Sequence, residues 1–357
     1  MPFILQERVS LKSFNTFGVD ARARWMAHVQ DAQDLQRLLS DSRLRDLPRL
    51  VLGGGSNVLF AGDFDGLVIR VGLRGIDDRG EHDGARLIRV AAGEPWAELV
   101  EHLVRAGLPG LENLALIPGL AGAAPIQNIG AYGLELSERL HAVHVWDPVA
   151  GAEQDIAVDQ CDLGYRDSRF KRQIRAAAVL GSQSLPVIVA ITLRLPQPWA
   201  PVTGYAELER ELAARACSQP AAADIFEAVC GLRRRKLPDP GQLGNAGSFF
   251  KNPIVGREQH ASLIDRFPSM VSYPLAGGRY KIGAAWMIEA CLLRGMTRSR
   301  AGVYEGQALV LVNRGGATGS DILQLAREVQ ERVHLHFGIE LEPEVQIIGD
   351  SGRLLSS

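Results

Sequence analysis

Residues 245–253, NAGSFFKNP, set a hydroxyl between a glycine and two phenylalanines, with an ammonium and an amide next in line. Ser248 is either an ordinary turn hydroxyl or a proton donor in a water-poor pocket. In the second reading Phe249 and Phe250 exclude water, and Lys251 and Asn252 supply polar heads. Residues 164–171, GYRDSRFK, place Tyr165, Arg166 and Asp167 together, followed by Arg169 and Lys171. A guanidinium there can hold a carboxylate through two parallel hydrogen bonds, with the tyrosine as an amphipathic wall. A solvated charged turn is the alternative. Residues 341–345, LEPEV, bracket a proline with Glu342 and Glu344, which share a face wherever the chain is extended.

Two glycine-bearing stretches bring a different chemistry. LGGGSNVLF, at 52–60, runs an apolar segment into three glycines, then Ser56 and Asn57. Glycines let consecutive backbone N–H groups form a concavity that binds an anion such as phosphate. The stretch is neither GxGxxG before a helix nor a loop ending in GK[ST], so neither nucleotide fingerprint applies, and a tight turn is the alternative. IPGLAGAAPIQNIGAYG, at 117–133, offers many backbone donors, two side-chain amides and no charge. That suits a large flat ligand with a pyrophosphate, against a purely structural glycine loop. GLRRRKLPDP, at 231–240, is a basic run at a helix end. It reads as a phosphate or NADPH contact or as a solvated face, since cations also complement the helix dipole. His334 and His336 stand two apart on a helix, and His141 and His144 fall on opposite strand faces, so no metal site is expected.

Composition sets the frame. A chain of 357 residues exceeds one ordinary core, so two or three domains are expected. With 46% hydrophobic and 22% charged residues it is globular, and a formal net charge of −2 advertises neither nucleic acid nor an anionic membrane. The start, MPFILQERVSLKSF, lacks the basic and apolar regions of a signal peptide. The uncharged stretches 113–134 and 176–193 are broken by glycine and proline, so neither reads as a membrane span. Cys161, Cys217, Cys230 and Cys291 form no CxxC pair, which suits buried thiols in a reducing cytoplasm.

Strand and helix signals alternate around these motifs. Strands are expected at RLVL, at GLVIRV (66–71), at RLIRVAAG, at HAVHVWD and at PVIVAITLRL. EPWAELVEHLVRAG reads as a helix with Pro95 at its start and Gly107 beyond its end. A Pro/Ala/Ser-bearing connection covers 197–222, and a helix DIFEAVCGLRRRK runs up to Pro238. Beyond it come a helix at AAWMIEACLLRG, a strand at QALVLVNRGG, a long helix over 321–337 and a final strand IELEPEVQII. The whole reads as α+β.

In this order, NTFGVDARA, LGGGSNVLF, GLPGLENLALIPGLAGAAPIQNIGAYG, GYRDSRFK, RRRKLPDP, GNAGSFFKNP, QALVLVN and LEPEV resemble the UDP-N-acetylenolpyruvoylglucosamine reductases, flavoenzymes of peptidoglycan synthesis. The motifs run through most of the chain, and PVTGYAEL is similar to the type I subgroup. The resemblance implies a vanillyl-alcohol-oxidase-type FAD-binding unit, made of two α+β subdomains, and a C-terminal α+β substrate domain. The corresponding boundaries are 1–72 and 73–205 for the subdomains, 206–340 for the substrate domain, and 341–357 for a strand and tail returning to the active site. It further implies a cytoplasmic monomer acting on a small molecule, with neither nucleic acid nor membrane as partner.

The resemblance also assigns residues. Non-covalent FAD is expected along Leu52, Gly53, Gly54, Gly55, Ser56 and Asn57, and along Ile117, Pro118, Gly119, Gly122, Ala123, Ala124, Pro125, Gln127, Asn128, Gly130, Ala131, Tyr132 and Gly133. Ala123 and Ala124 stand where some members carry serines, so backbone groups must suffice there. NADPH is the expected co-substrate and UDP-N-acetylglucosamine enolpyruvate the substrate. Tyr165, Tyr205, Lys236, Asn252, Tyr273 and Gln307 are expected to line the sugar-nucleotide site, Lys236 at the diphosphate and Tyr205 as a lid. Arg166 is the implied carboxylate clamp, Ser248 the proton donor, tuned by Lys251 or another polar neighbour, and Glu344 a carboxyl group beside the developing charge. Ionised, Glu344 would repel that charge. It is either protonated, the form expected here, or acts through Arg166. A flavin oxidase of the same fold would commonly carry a His or Cys for covalent attachment, and none stands in 51–57 or 117–133. A non-catalytic nucleotide-binding module would be colourless.

Overall fold

A computed structural model describes residues 4–180 and 186–349, so the ends of the expected outer units and part of the second lie outside the described residues. The first sheet has four strands in the order Ile4–Ser10, Arg22–Val29, Phe64–Val71, Arg49–Leu52. Its first pair is antiparallel and the other two are parallel, so the strand Arg49–Leu52 delivers the first glycine stretch at its C-terminal end. The second sheet is antiparallel, with five strands in the order Ala152–Ala157, Leu140–Asp147, Val187–Pro196, Ala85–Ala91, Ile76–His82. Helix Trp96–Arg105 buries Trp96, Leu99, Val100 and Leu103, the i, i+3, i+4, i+7 stripe that its sequence spells.

The connection read over 197–222 contains a helix, Ala206–Ala214, because AELERELAA is rich in strong helix formers. With helix Ala222–Lys236 it belongs to the core of the second sheet, through Leu208, Leu212, Ile225, Val229 and Leu232. A division drawn by packing therefore falls after Lys236, about thirty residues beyond the boundary expected at 206.

The remaining unit carries a four-stranded sheet, Gly244–Ser248, Val310–Asn313, Ala301–Val303, Thr297–Arg298, and a three-stranded one, Ile254–Val255, Arg279–Ile282, Ser272–Leu275. Helix Gly319–Phe337 covers a separate core of Ile322, Leu325, Val329 and Val333 with Phe249, Phe250 and Met287. The final strand is shorter than IELEPEVQII suggests: Pro343 has no N–H to donate, and only Gln346–Ile348 pairs as a strand. It runs parallel to Val58–Phe60, which ties the chain's last described segment to the first glycine stretch. Helix Arg169–Leu180, directly behind the GYRDS turn, was not anticipated. No described helix is long and apolar enough to cross a membrane.

Candidate active site

The two glycine stretches face each other across a cavity of about 330 Å³. The second is stitched to the middle sheet by backbone bonds. Gly122 N–H donates to the Ala92 carbonyl at 3.0 Å, Ala121 N–H to Glu94 at 2.8 Å, and Trp96 N–H to Gly119 at 3.0 Å. Residues Ala121–Gln127 wind as a 3-10 helix that ends on Asn128 in a left-handed conformation, φ 45°. The first stretch packs directly on the second. A Cβ on Gly54 would sit 2.9 Å from the Gly119 Cα, and one on Gly122 would sit 2.5 Å from the Ala92 Cβ. Glycine is required at both because the backbones touch.

Of the residues expected along FAD, the cavity lining includes Leu52 to Asn57, Ile117, Pro118, Gly119, Gly122, Ala123, Ala124, Gln127 and Gly130. Pro125, Asn128, Ala131, Tyr132 and Gly133 are not on it. Asn128 is buried and works as a strut, donating to the Gly164 carbonyl at 3.1 Å and accepting from Ser137 N–H at 2.9 Å. Tyr132 stacks edge-on with Tyr205 at 5.5 Å, and burial pushes its hydroxyl up to about 12.

Three segments far apart in sequence converge on this cavity. Asn57 Nδ2 donates to Gln127 Oε1 at 2.7 Å and to the Glu344 carbonyl at 3.2 Å, and Gln346 N–H donates to the Asn57 carbonyl at 3.0 Å. Glu344 N–H in turn donates to the Phe249 carbonyl at 2.8 Å, next to Ser248. Ser248 ends the strand Gly244–Ser248 after a bulge, with Gly247 at φ 69°, and lies on the cavity wall together with Arg166 and Glu344.

The phenylalanines do not shield Ser248 as expected. Phe249 and Phe250 are absent from the lining and pack edge to face, 5.0 Å apart, in the C-terminal core. They anchor the strand from behind. The apolar lining comes instead from residues such as Ile69, Val71, Trp96, Ile126 and Ile129.

Arg166 sits in a tight turn closed by reciprocal N–H to carbonyl bonds between Gly164 and Asp167, at 3.0 and 3.2 Å. Its φ is 54°, uncommon for a non-glycine residue. The guanidinium Nη2 donates to the Gly130 carbonyl at 2.8 Å and Nη1 to the Asn128 carbonyl at 3.5 Å. Nε approaches Glu344 Oε1 to 2.8 Å. That approach is a charge contact: the Nε–H is not aimed along it and has no hydrogen-bond partner among the described residues. Glu342, two residues earlier, takes Lys251 at 2.6 Å and Arg175 at 3.2 Å. Burial pushes the Glu342 carboxyl up, but these two cations outweigh it and hold it below its ordinary value. Lys251 is thus committed to Glu342 rather than turned to Ser248.

The six residues expected around the sugar nucleotide stay off the cavity lining. Asn252 N–H reaches the Tyr165 hydroxyl at 3.4 Å, and Lys281 lies over the rings of Tyr165 and Tyr273 at 5.2 and 5.8 Å. Lys236 is held by Glu207 at 3.0 Å, on the first turn of the helix that follows Tyr205. Gln307 accepts from Leu309 N–H at 3.3 Å, and no described contact joins it to the other five. Arg233 was hidden in the basic run: it lines the cavity from the last turn of its helix, and burial pushes its guanidinium down. Only the inward side of that turn singles it out, and four consecutive cations do not reveal which side that is.

His144, Glu153 and Asp155 bring their ligand atoms within 4.8 Å of one another. Arg89 holds Glu153 at 2.6 Å, while Thr192 and Asp155 flank the His144 ring at 2.7 and 2.5 Å, so the group is satisfied by protein bonds.

A dinucleotide with a neutral-walled pyrophosphate site fits the glycine cradle. The N–H groups of Gly54, Gly55 and Ser56 have no acceptor among the described residues, and the surrounding surface is largely apolar. Comparison with known proteins agrees. Residues 23–153 match the model of an FAD binding domain, and residues 239–348 that of the UDP-N-acetylenolpyruvoylglucosamine reductase C-terminal domain. The UDP-N-acetylenolpyruvoylglucosamine reductase of Ralstonia nicotianae is 49% identical over 97% of this chain and 99% of its own length. That of Paraburkholderia xenovorans is 50% identical over 94% of this chain and 95% of its own. The crystal structure of the reductase from Thermus caldophilus superposes with a TM-score of 0.64 at 25% identity, covering 97% of this chain and 99% of that one. With an FAD-binding α+β unit and a distinctive C-terminal unit on one chain, the protein is a flavin-dependent oxidoreductase and belongs to the UDP-N-acetylenolpyruvoylglucosamine reductase family.

Proposed function

We propose that the protein reduces the enolpyruvyl ether of UDP-N-acetylglucosamine to UDP-N-acetylmuramate at the expense of NADPH, a step in building peptidoglycan precursors. The observation that carries this reading is the meeting of Ser248, Arg166 and Glu344 on the wall of the glycine-lined cavity. FAD would be held along 52–57 and 117–130, where it would supply hydride transfer between NADPH and the vinyl carbon C3 of the second substrate.

The chain's own residues handle the charge and the proton. Hydride addition at C3 leaves an electron pair shared between C2 and the substrate carboxylate, an enolate-like dianion. Arg166, fixed by the Gly130 and Asn128 carbonyls, brings a permanent positive charge to that region, and a preorganised charge costs no reorganisation when the anion forms. Ser248 then gives its proton to C2: its O–H bond breaks as the C2–H bond forms. A serine hydroxyl is a weak acid and serves only against a strongly basic carbon, and it regains its proton from solvent after product leaves. The 2.8 Å contact supports Glu344 acting through Arg166 before the ligand enters. A pH–rate profile of the second half-reaction that is flat from acid to mildly alkaline pH excludes a protonated Glu344.

Tyr165, Tyr205, Lys236, Asn252, Tyr273 and Gln307 are assigned to the UDP-sugar. Lys236 reaches a diphosphate by exchanging Glu207 for it, and Tyr205, exposed and leaning on Tyr132, can fold over the ligand. The purified protein is expected to be yellow. Anaerobic NADPH should bleach its visible bands, and UDP-N-acetylglucosamine enolpyruvate should restore them. A reduced protein that recolours with oxygen but never with the UDP-sugar sinks the proposal.

A further inference from the structure

Lys171 plays no part in the chemistry described, yet it is 1% exposed and stands behind Arg166. Its ammonium donates to the Arg166 carbonyl at 3.1 Å. No carboxylate bonds it directly among the described residues. A buried ammonium with one neutral acceptor is costly, so its retention calls for a compensating field or role. Both are present.

The field comes from a compact set of charges. Glu342 and Glu344 attract Lys171, while Lys251 and Arg175 repel it, and Arg166 completes the set. Burial first, then Lys251 and Arg175, push the ammonium down to about 8, against the pull of the two carboxylates. At that wall and behind it, Lys171, Lys251, Arg175 and Arg166 outnumber Glu342 and Glu344, which favours an anionic ligand there.

The role is geometric. Arg166 holds φ 54°, a strained conformation for a non-glycine residue, which persists only where neighbours enforce it. Lys171 enforces it twice. Its Nζ fixes the Arg166 carbonyl, and its backbone N–H bonds Ser168 Oγ at 3.0 Å while that hydroxyl donates to the Ile126 carbonyl at 2.6 Å. The turn is thereby tied to the segment 117–130, whose Gly130 and Asn128 carbonyls receive the guanidinium.

We infer that Lys171 is a positioning residue for Arg166: from inside the protein its ammonium locks the left-handed turn that aims the guanidinium at the cavity, and its charge completes the anion-attracting field there. This rests on the reading of Arg166 given under Proposed function. The test uses the flavin-loaded enzyme and follows the two half-reactions separately. Lys171→Met should leave bleaching by NADPH intact and slow recolouring by the UDP-sugar about 10²-fold, as a misplaced group does. Lys171→Arg, which keeps charge and donor, should recover part of the rate. In the wild type the KM for the UDP-sugar should rise above pH 8, and in Lys171→Met that limb should vanish.

A wild-type profile flat from pH 7 to 10 overturns the inference without any variant. So does equal slowing of both half-reactions in Lys171→Met, which marks a purely structural residue. If the wild type ignores the UDP-sugar, the reaction assignment has failed instead. A crystal structure of Lys171→Met with flavin bound then decides the positioning claim: Arg166 displaced from Glu344 and the Gly130 carbonyl sustains it, and Arg166 unmoved overturns it.

Discussion

The wall made by 52–57 and 117–130 keeps its shape with backbone contacts and small side chains, whereas the corner of Arg166, Ser248 and Glu344 keeps its shape with charge. In the first, glycine backbones touch and amides are shared, as between Asn57 and Gln127. In the second, a strained turn, a buried ammonium and two carboxylates balance one another. The neutral wall suits a large ligand whose negative pyrophosphate is met by N–H dipoles and never leaves. The charged corner suits a charge that appears and disappears within one turnover. The difference implies that damage to the two regions can be separated: one should lose the cofactor, the other the chemistry.

The largest separation is expected from Ser248→Ala. Overall turnover should fall roughly 10²–10⁴-fold, about 3–5.5 kcal/mol of barrier, while flavin content and NADPH bleaching stay near wild type. Stopped-flow traces of each half-reaction check it. Equal losses in both would erase the proposed division. Arg166→Lys should follow at about 10–10²-fold, because a point charge cannot reach both the Gly130 and Asn128 carbonyls as the planar fork does. Its signature is a raised KM for the UDP-sugar with an unchanged visible spectrum. Gly54→Ala attacks the other wall. A Cβ 2.9 Å from Gly119 forces the stretches apart at a cost of about 1–3 kcal/mol. That lowers FAD affinity by roughly 5–150-fold. Fluorescence titration of the apoprotein measures it, and the re-saturated variant should turn over normally.

The two regions were also unequally legible in the sequence. The neutral wall declared itself, because glycines and amides without charge over a long span have few other uses, and most of the residues expected there line the cavity. The charged corner was legible only in part. Ser248, Arg166 and Glu344 could be named from their motifs, but their meeting depends on the strand Gln346–Ile348 returning to Val58–Phe60. Nothing local in LEPEV encodes that pairing. Phe249 and Phe250 misled because a strand end has two sides, and the apolar pair faces the C-terminal core rather than the cavity. Arg233 and Lys171 were hidden for the same kind of reason. Each lies in a basic run whose composition reads as solvated surface, and only tertiary packing turns one member inward.

The smallest expected signal is a slope, and it sharpens the contrast further. Residues 51–57 and 117–133 contain one ionisable side chain, Tyr132, pushed up to about 12, so the neutral wall is silent across the working range. The charged corner is not. Lys171 titrates near 8 in the folded protein and at its ordinary 10.5 when unfolded. Between these values the unfolded chain binds more protons, so folding stability should rise with pH there, and the full penalty of the buried ammonium applies below 8. Glu342 acts with the same sign in the acid range: its carboxyl is held low, so its contribution is present above the unfolded value and is lost as pH falls through the folded one. Chemical denaturation of wild type and Lys171→Met at several pH values isolates the first effect by difference. Wild type should gain stability relative to the variant as pH rises from about 8 to about 10.5, because it sheds a cost that the variant never carries. A gap that stays constant over that interval would mean the ammonium is solvated in the folded protein, and the charged corner would then be no different in kind from an ordinary surface cluster.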